Sequence, residues 1–203
     1  MTTLLIAMGT FALSTSISPG PVNILATVTG ANHGYVRTMP HITGATFGFV
    51  SILFLLGFGL SKFITQIPYL SESMTFLGGS FLLYLAYKVA SQKPTTKNED
   101  TELNSAAPSF LQGMMCQWLN PKAWIVSLAG ISVFYTGQDL KLTVLLQFCA
   151  IFFVICYASI SVWALLGVTI RTVLETPSQL RLFNLSMGLL LATTVLYTFF
   201  TSS

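Results

Sequence analysis

Two short stretches place proline, a polar side chain and in one case a charge within otherwise apolar sequence. They are Ser18-Pro19-Gly20-Pro21 followed by Asn23, and Asn120-Pro121-Lys122 followed by Trp124. Proline inside a helix removes an i→i−4 hydrogen bond and clashes with the preceding turn. It also restricts the residue before it, and glycine is the poorest ordinary helix former. Each stretch therefore ends one helix and starts another. Ser18 before Pro19, and Asn120 before Pro121, both read as an N-cap followed by proline at the first helical position. A fresh helix N-terminus offers free N–H groups and the positive dipole end, a setting for a small anion such as a carboxylate. Lys122 adds a full positive charge. The candidate binding residues are thus Pro19, Gly20, Pro21, Asn23, Asn120, Pro121, Lys122 and Trp124. Either break alone also fits a packing kink, and Lys122 also fits a snorkelling position if its helix starts later.

The solvent around these breaks follows from composition. The 203 residues are 53% hydrophobic and 7% charged, against roughly 25% charged in a soluble domain, which points to lipid. Spanning runs need about 20 mostly apolar residues, and such runs occur at 4–31, 39–60, 74–90, 110–134, 142–170 and 182–200. The expected fold is an all-α integral membrane domain of six transmembrane helices, the first and fourth broken at their proline motifs. The opening residues up to Ala12 carry no Lys or Arg, so they read as part of the first span and not as a secretory signal. In hydrocarbon, an unpaired backbone group costs several kcal/mol. Broken helices survive there only where protein or water satisfies the freed groups. A charge near the membrane centre costs about 2.5–3.5 kcal/mol on insertion scales and usually has a function.

Several classes are set aside. Cys116, Cys149 and Cys156 lie in apolar runs without metal spacing, so they read as small core residues. No metal or cofactor is expected. The net charge of +3 and the lack of a basic cluster or phosphate-cradling glycine loop argue against nucleic acid.

Basic residues alternate between loops. Arg37, Lys88, Lys93, Lys97, Arg171 and Arg181 fall on one set, and Lys62 and Lys141 on the other. The positive-inside rule then makes the first set cytoplasmic and places both termini outside. The polar linker 92–109 separates a first repeat, about 1–91, from a second, about 110–203, within a single domain. Three spans per half force opposite orientations, the arrangement of an inverted repeat. Both halves open with a proline break, and their third spans share a glycine-containing start at Gly78-Gly79 and at Gly188.

Other polar residues invite separate readings. Gly44 and Gly48 form a small-xxx-small packing face. Gln117 and Asn184 are intramembrane amides that either tie helices together or line a cavity. His33 and His41, on either side of Arg37, read as loop or interface residues, with a proton relay as the alternative. Trp118, Trp124 and Trp163 suggest an aromatic belt, Trp124 being the one best placed to touch substrate.

The motif Ser-Pro-Gly-Pro-x-Asn at 18–23, followed by Gly34 and Gly44-x-x-x-Gly48, resembles the N-terminal signature of the LysE/RhtB family of bacterial amino-acid exporters. Gln117-Trp118-Leu119-Asn120-Pro121-Lys122-Ala123 resembles its second signature. Leu77-Gly78 through Tyr87-Lys88, and Asn184 with Gly188, resemble its later patterns. Within the family the chain looks closest to the cysteine and O-acetylserine exporters. The resemblance implies a multi-pass protein of the bacterial inner membrane that exports small amino acids, by proton exchange or as a facilitator, with a homodimer permitted. The acids Glu72, Glu99, Asp100, Glu102, Asp139 and Glu175 all fall in loops or at span ends, which leaves no carboxylate in a span to carry a proton. An intramembrane enzyme would need a nucleophile–base pair or metal cluster, which the spans lack. A non-transporting accessory subunit would not need two matched breaks.

Overall fold

An apolar chain in hydrocarbon must satisfy its backbone internally, and helix does so within each segment. The computed structural model describes residues 2–60, 70–92, 107–135, 142–174 and 176–201, and among these it is helical with no strand. The helices are α1 (Thr2–Ile17), α2 (Pro21–His33), α3 (Tyr35–Leu55), α4 (Leu70–Ala90), α5 (Phe110–Trp118), α6 (Pro121–Phe134), α7 (Leu142–Val173) and α8 (Pro177–Thr201). Both proline motifs break the chain where expected, and α1 meets α2 at a bend of 59°. By length and apolarity, Tyr35–Gly59, Leu142–Val173 and Pro177–Tyr197 can each cross a membrane, and the bent α1–α2 pair makes a fourth candidate. The described apolar part of α4, Phe76–Ala90, and α6 are shorter.

Local signals explain the boundaries. Gly34, at φ 78°, turns the chain between α2 and α3, and its N–H bonds the Gly30 carbonyl. That left-handed conformation is what glycine tolerates. The start of α5 is a capping box, with Ser109 and Gln112 each bonding the other's backbone N–H. After α3 a single π turn, Leu56–Leu60, ends near Gly59 at φ 116°.

Small residues set the helix crossings. On the α2–α7 crossing Gly30 faces the Ala164 carbonyl and Gly167 faces the Thr27 carbonyl. On the α3–α5 crossing Gly44 faces the Phe110 carbonyl and Gly113 the His41 carbonyl. Gly188 lies against the Ala86 and Ala90 backbone on the α4–α8 pair. A Cβ at any of these would collide with main chain, so the helices approach as closely as glycine permits. The Gly44–Gly48 face therefore packs as expected. A cluster of Phe11, Phe49, Phe134, Phe148 and Phe152 fills the interior, while Phe58, Phe76 and Val154 point outward.

These crossings place the C-terminal ends of α2, α4 and α7 beside the N-terminal ends of α3, α5 and α8. Asn32 donating to Asn184 at 3.1 Å ties α2 to α8 at that same end. Arg37, Lys88, Arg171 and Arg181 thus gather at one end of the bundle. Lys62, Lys93, Lys97 and Lys141 lie outside the described residues, as do Glu99, Asp100, Glu102, Asp139 and Glu175.

Two sequence expectations change. Ser18 does not cap α2. Proline at position 21 holds Gly20 extended (φ −173°, ψ 171°), so the helix begins only at Pro21, with Gly20 as N-cap and no side-chain cap bond. His41 is not a loop residue: it lies within α3 and is 2% exposed, because α3 starts at Tyr35 and presses this turn against Gly113. The three tryptophans each donate their indole N–H to a protein oxygen.

Candidate functional site

A helix break strands the last carbonyls of the helix before it, and the first break shows how the chain answers this. Asn23, one turn into α2, folds its amide back to donate to the carbonyls of Ser16 (2.8 Å) and Ser18 (2.9 Å). Trp163 of α7 donates its indole N–H to the Ile17 carbonyl at 3.0 Å. Ser18 itself donates its hydroxyl to the Thr15 carbonyl at 2.9 Å. The remaining acceptors are met from the other half of the chain. Lys122 places its ammonium 2.7 Å from Ser18 Oγ, 3.2 Å from the Ser18 carbonyl and 3.3 Å from the Pro19 carbonyl. Gly20 makes room for this: a Cβ there would stand 3.2 Å from Lys122 Nζ and 3.3 Å from its Cδ.

The second break is built differently. Asn120 is the N-cap of α6 with Pro121 at the first helical position, and its side-chain oxygen accepts from the Lys122 N–H at 3.2 Å. Its amide donates to Gln117 Oε1 at 3.1 Å. The Trp118 carbonyl, stranded at the end of α5, accepts from Trp124 Nε1 at 2.7 Å. Gly78 of α4 meets the Leu119 backbone from outside.

Between the breaks lies a small cavity of about 40 Å³, lined in part by Gly20, Asn23, Asn120 and Lys122. Four predicted residues thus come together there, and Pro19 joins them through its carbonyl. Pro21 is buried at the head of α2, and Pro121 heads α6; neither lines the cavity. Trp124 turns away to Trp118, edge to face at 6.0 Å. Sequence reasoning missed the opposite wall, where α3 and α7 present Phe49, Cys156 and Ile160. Thr15 and Ser16 before the first break, and Gln117 before the second, also line it. Those three polar residues sit within a helical turn of a break, which was an available signal. Cys156, read as a core residue, is buried as expected but reaches the cavity. Phe49 and Ile160 carried no signal, because an apolar residue in a span reads alike toward lipid, core or cavity.

None of the described lining residues is acidic, and no group that could hold a metal ion occurs among the described residues. The chemistry offered is one cation, several amides and hydroxyls, and an apolar wall. Trp163→Phe tests how tightly the first break is held. The change leaves the Ile17 carbonyl without that donor and is expected to destabilise the protein by about 1–3 kcal/mol, read as a lower thermal midpoint in detergent. An unchanged midpoint means that Ile17 finds another donor.

The chain is similar to known proteins over most of its length. The model of the LysE type translocator family matches residues 13–198, nearly the whole bundle and both breaks. The chain belongs to the LysE translocator family. Cysteine/O-acetylserine efflux proteins of Escherichia coli (strain K12) and Shigella sonnei (strain Ss046) are each 28% identical over 163 residues. The match covers 77% of this chain and 81% of theirs. No solved structure matches. As a LysE translocator with several apolar helices, the chain is a multi-pass inner-membrane amino-acid exporter.

Proposed function

We propose that this LysE translocator is a secondary exporter of small amino acids or their derivatives, cysteine- and O-acetylserine-like or threonine- and homoserine-like. The observation that carries the reading is Lys122, a cation with no carboxylate partner among the described residues, set between two broken helices beside a cavity. Lys122 and the Asn120-capped start of α6 hold the substrate carboxylate. The unwound carbonyls of the first break and the free Oδ1 of Asn23 hold the amine. Phe49, Cys156 and Ile160 bound the side chain and keep it small. The relatives' names favour cysteine and O-acetylserine among these substrates.

In this reading α1–α2, α3 and α4 form one repeat and α5–α6, α7 and α8 its inverted copy, six spans with the linker 92–109 between them. The proline breaks recur at matched places, and the cavity lies between the halves, as expected of such repeats. The cavity is far smaller than the roughly 300–1,000 Å³ of small-molecule sites, so one half rocks against the other to admit substrate. The end bearing Arg37, Lys88, Arg171 and Arg181 faces the cytoplasm, and both termini face the periplasm. The unit acts as a monomer or homodimer.

Inverted vesicles loaded by uptake of cysteine, O-acetylserine, threonine, homoserine or lysine test the reading. Uptake of the small neutral substrates is expected, well above that of lysine, and an imposed pH gradient accelerates it if protons are exchanged. A facilitator equilibrates the same substrates without responding to the gradient. Vesicles that carry none of the five leave the chain as an accessory subunit.

A further inference from the structure

Three acceptors surround Lys122 Nζ: the Ser18 hydroxyl at 2.7 Å and the Ser18 and Pro19 carbonyls at 3.2 and 3.3 Å. An ammonium has three N–H donors and no acceptor, so this turn of unwound backbone complements a primary ammonium. Lys122 reaches it from the far half of the chain, 104 positions away from Ser18. We propose that the turn at Ser18 and Pro19 is an ammonium subsite for the substrate's α-amine, and that Lys122 occupies it here as a tethered stand-in. This deepens the exporter reading and rests on it.

The exchange follows from charge. A substrate carboxylate entering the cavity draws the Lys122 ammonium off the carbonyls, and the substrate's own ammonium takes the acceptors that Lys122 leaves. No covalent bond changes and no proton moves. The Ser18 and Pro19 acceptors keep a cation and Lys122 gains an anion, so no group is left unpaired. A second independent observation supports a ligand with a carboxylate. Gln117 lines the cavity and is 5% exposed, yet its amide NH2 donates to none of the described residues. That donor and Lys122 both line the cavity, one from each side of the second break, where the carboxylate would sit.

Two consequences distinguish this from a carboxylate site alone. The substrate must carry both groups: an amine without a carboxylate meets only the like charge of Lys122, and a carboxylate without an amine leaves the Ser18 and Pro19 carbonyls bare. A side-chain cation is refused as well, since it would face Phe49 and Ile160 with no anion among the described lining residues.

The full chain in liposomes tests the subsite with L-cysteine, its methyl ester and N-acetyl-L-cysteine as competitors for transport, and the threonine trio in parallel. In wild type both blocked derivatives are expected to compete at least about tenfold more weakly than the parent. In Lys122→Met the acceptors stand open, and the methyl ester is expected to compete about tenfold better than in wild type while the parent loses. Ser18→Ala supplies a second variant: it weakens the parent and leaves the N-acetyl derivative unchanged. Wild type that treats parent and N-acetyl derivative alike overturns the subsite while leaving the exporter reading intact. So does a well-folded Lys122→Met protein with no gain for the ester. If Lys122→Met does not fold, equal loss of parent and N-acetyl derivative in Ser18→Ala overturns it instead. Wild type that carries neither parent sinks the exporter reading itself.

Discussion

Lys122→Met is expected to lower efflux of the best-carried amino acid by roughly 100-fold, in protein that still inserts and elutes as a single species. The methionine keeps much of the length and apolar stem of the lysine and removes the charge. Removing one partner of a buried, hydrogen-bonded charge pair costs about 2–5 kcal/mol, and the partner lost here is the one held for the substrate carboxylate. The fold should tolerate the change better than the function does. Of the acceptors that Lys122 meets, the Ser18 carbonyl keeps its bond from Asn23, and α6 keeps its Asn120 cap and Pro121 start. Efflux from loaded cells, normalised to membrane protein, reads the effect. Wild-type efflux by the variant would remove Lys122 from the site, and with it the reason for placing the carboxylate between the breaks.

The largest effect on stability is expected at the glycine crossings. Gly167→Val should destabilise the protein by about 3 kcal/mol and lower its thermal midpoint by about 10 °C, and Gly44→Val should do the same. In both cases the new side chain meets a backbone carbonyl, of Thr27 and of Phe110 respectively. Main chain in a helix cannot swing aside as a flexible side chain can, so the two helices must separate along the crossing. Gly9→Ala is the matched control. Nothing lies within 4 Å of a Cβ at Gly9, and alanine favours helix over glycine by about 1 kcal/mol, so this variant should be neutral or slightly more stable. Thermal scanning of the purified variants by size-exclusion chromatography compares them. Equal midpoints for Gly167→Val and Gly9→Ala would mean that the α2–α7 crossing is looser than its geometry.

Much of this architecture was legible in the chain because lipid leaves few options. Long apolar runs must become helices, and the ends of the expected runs lie within five residues of the described helix ends, 142–170 against Leu142–Val173 for example. Proline and glycine act locally, so the breaks at Pro19 to Pro21 and at Pro121 followed from covalent structure alone, as did the Asn120 cap. Ser18 is not the cap for an equally local reason. Of two prolines flanking Gly20, the second governs where a helix can start, because it holds the residue before it extended.

What the sequence determined by itself, then, was that two helices break inside an apolar bundle and that one break carries a lysine. Tertiary structure decided what those breaks touch. Periodicity tells which residues share a face of one helix, but the glycine crossings set which faces meet, and they bring together positions more than a hundred residues apart. Only that meeting puts the Lys122 ammonium on the Ser18 and Pro19 carbonyls and the Trp163 indole on Ile17. It also sends Trp124 back to its own break and buries His41. The proline breaks created unsatisfied backbone groups; Asn23 and Trp124 answer them locally, and the packing of the second half against the first added Lys122 and Trp163.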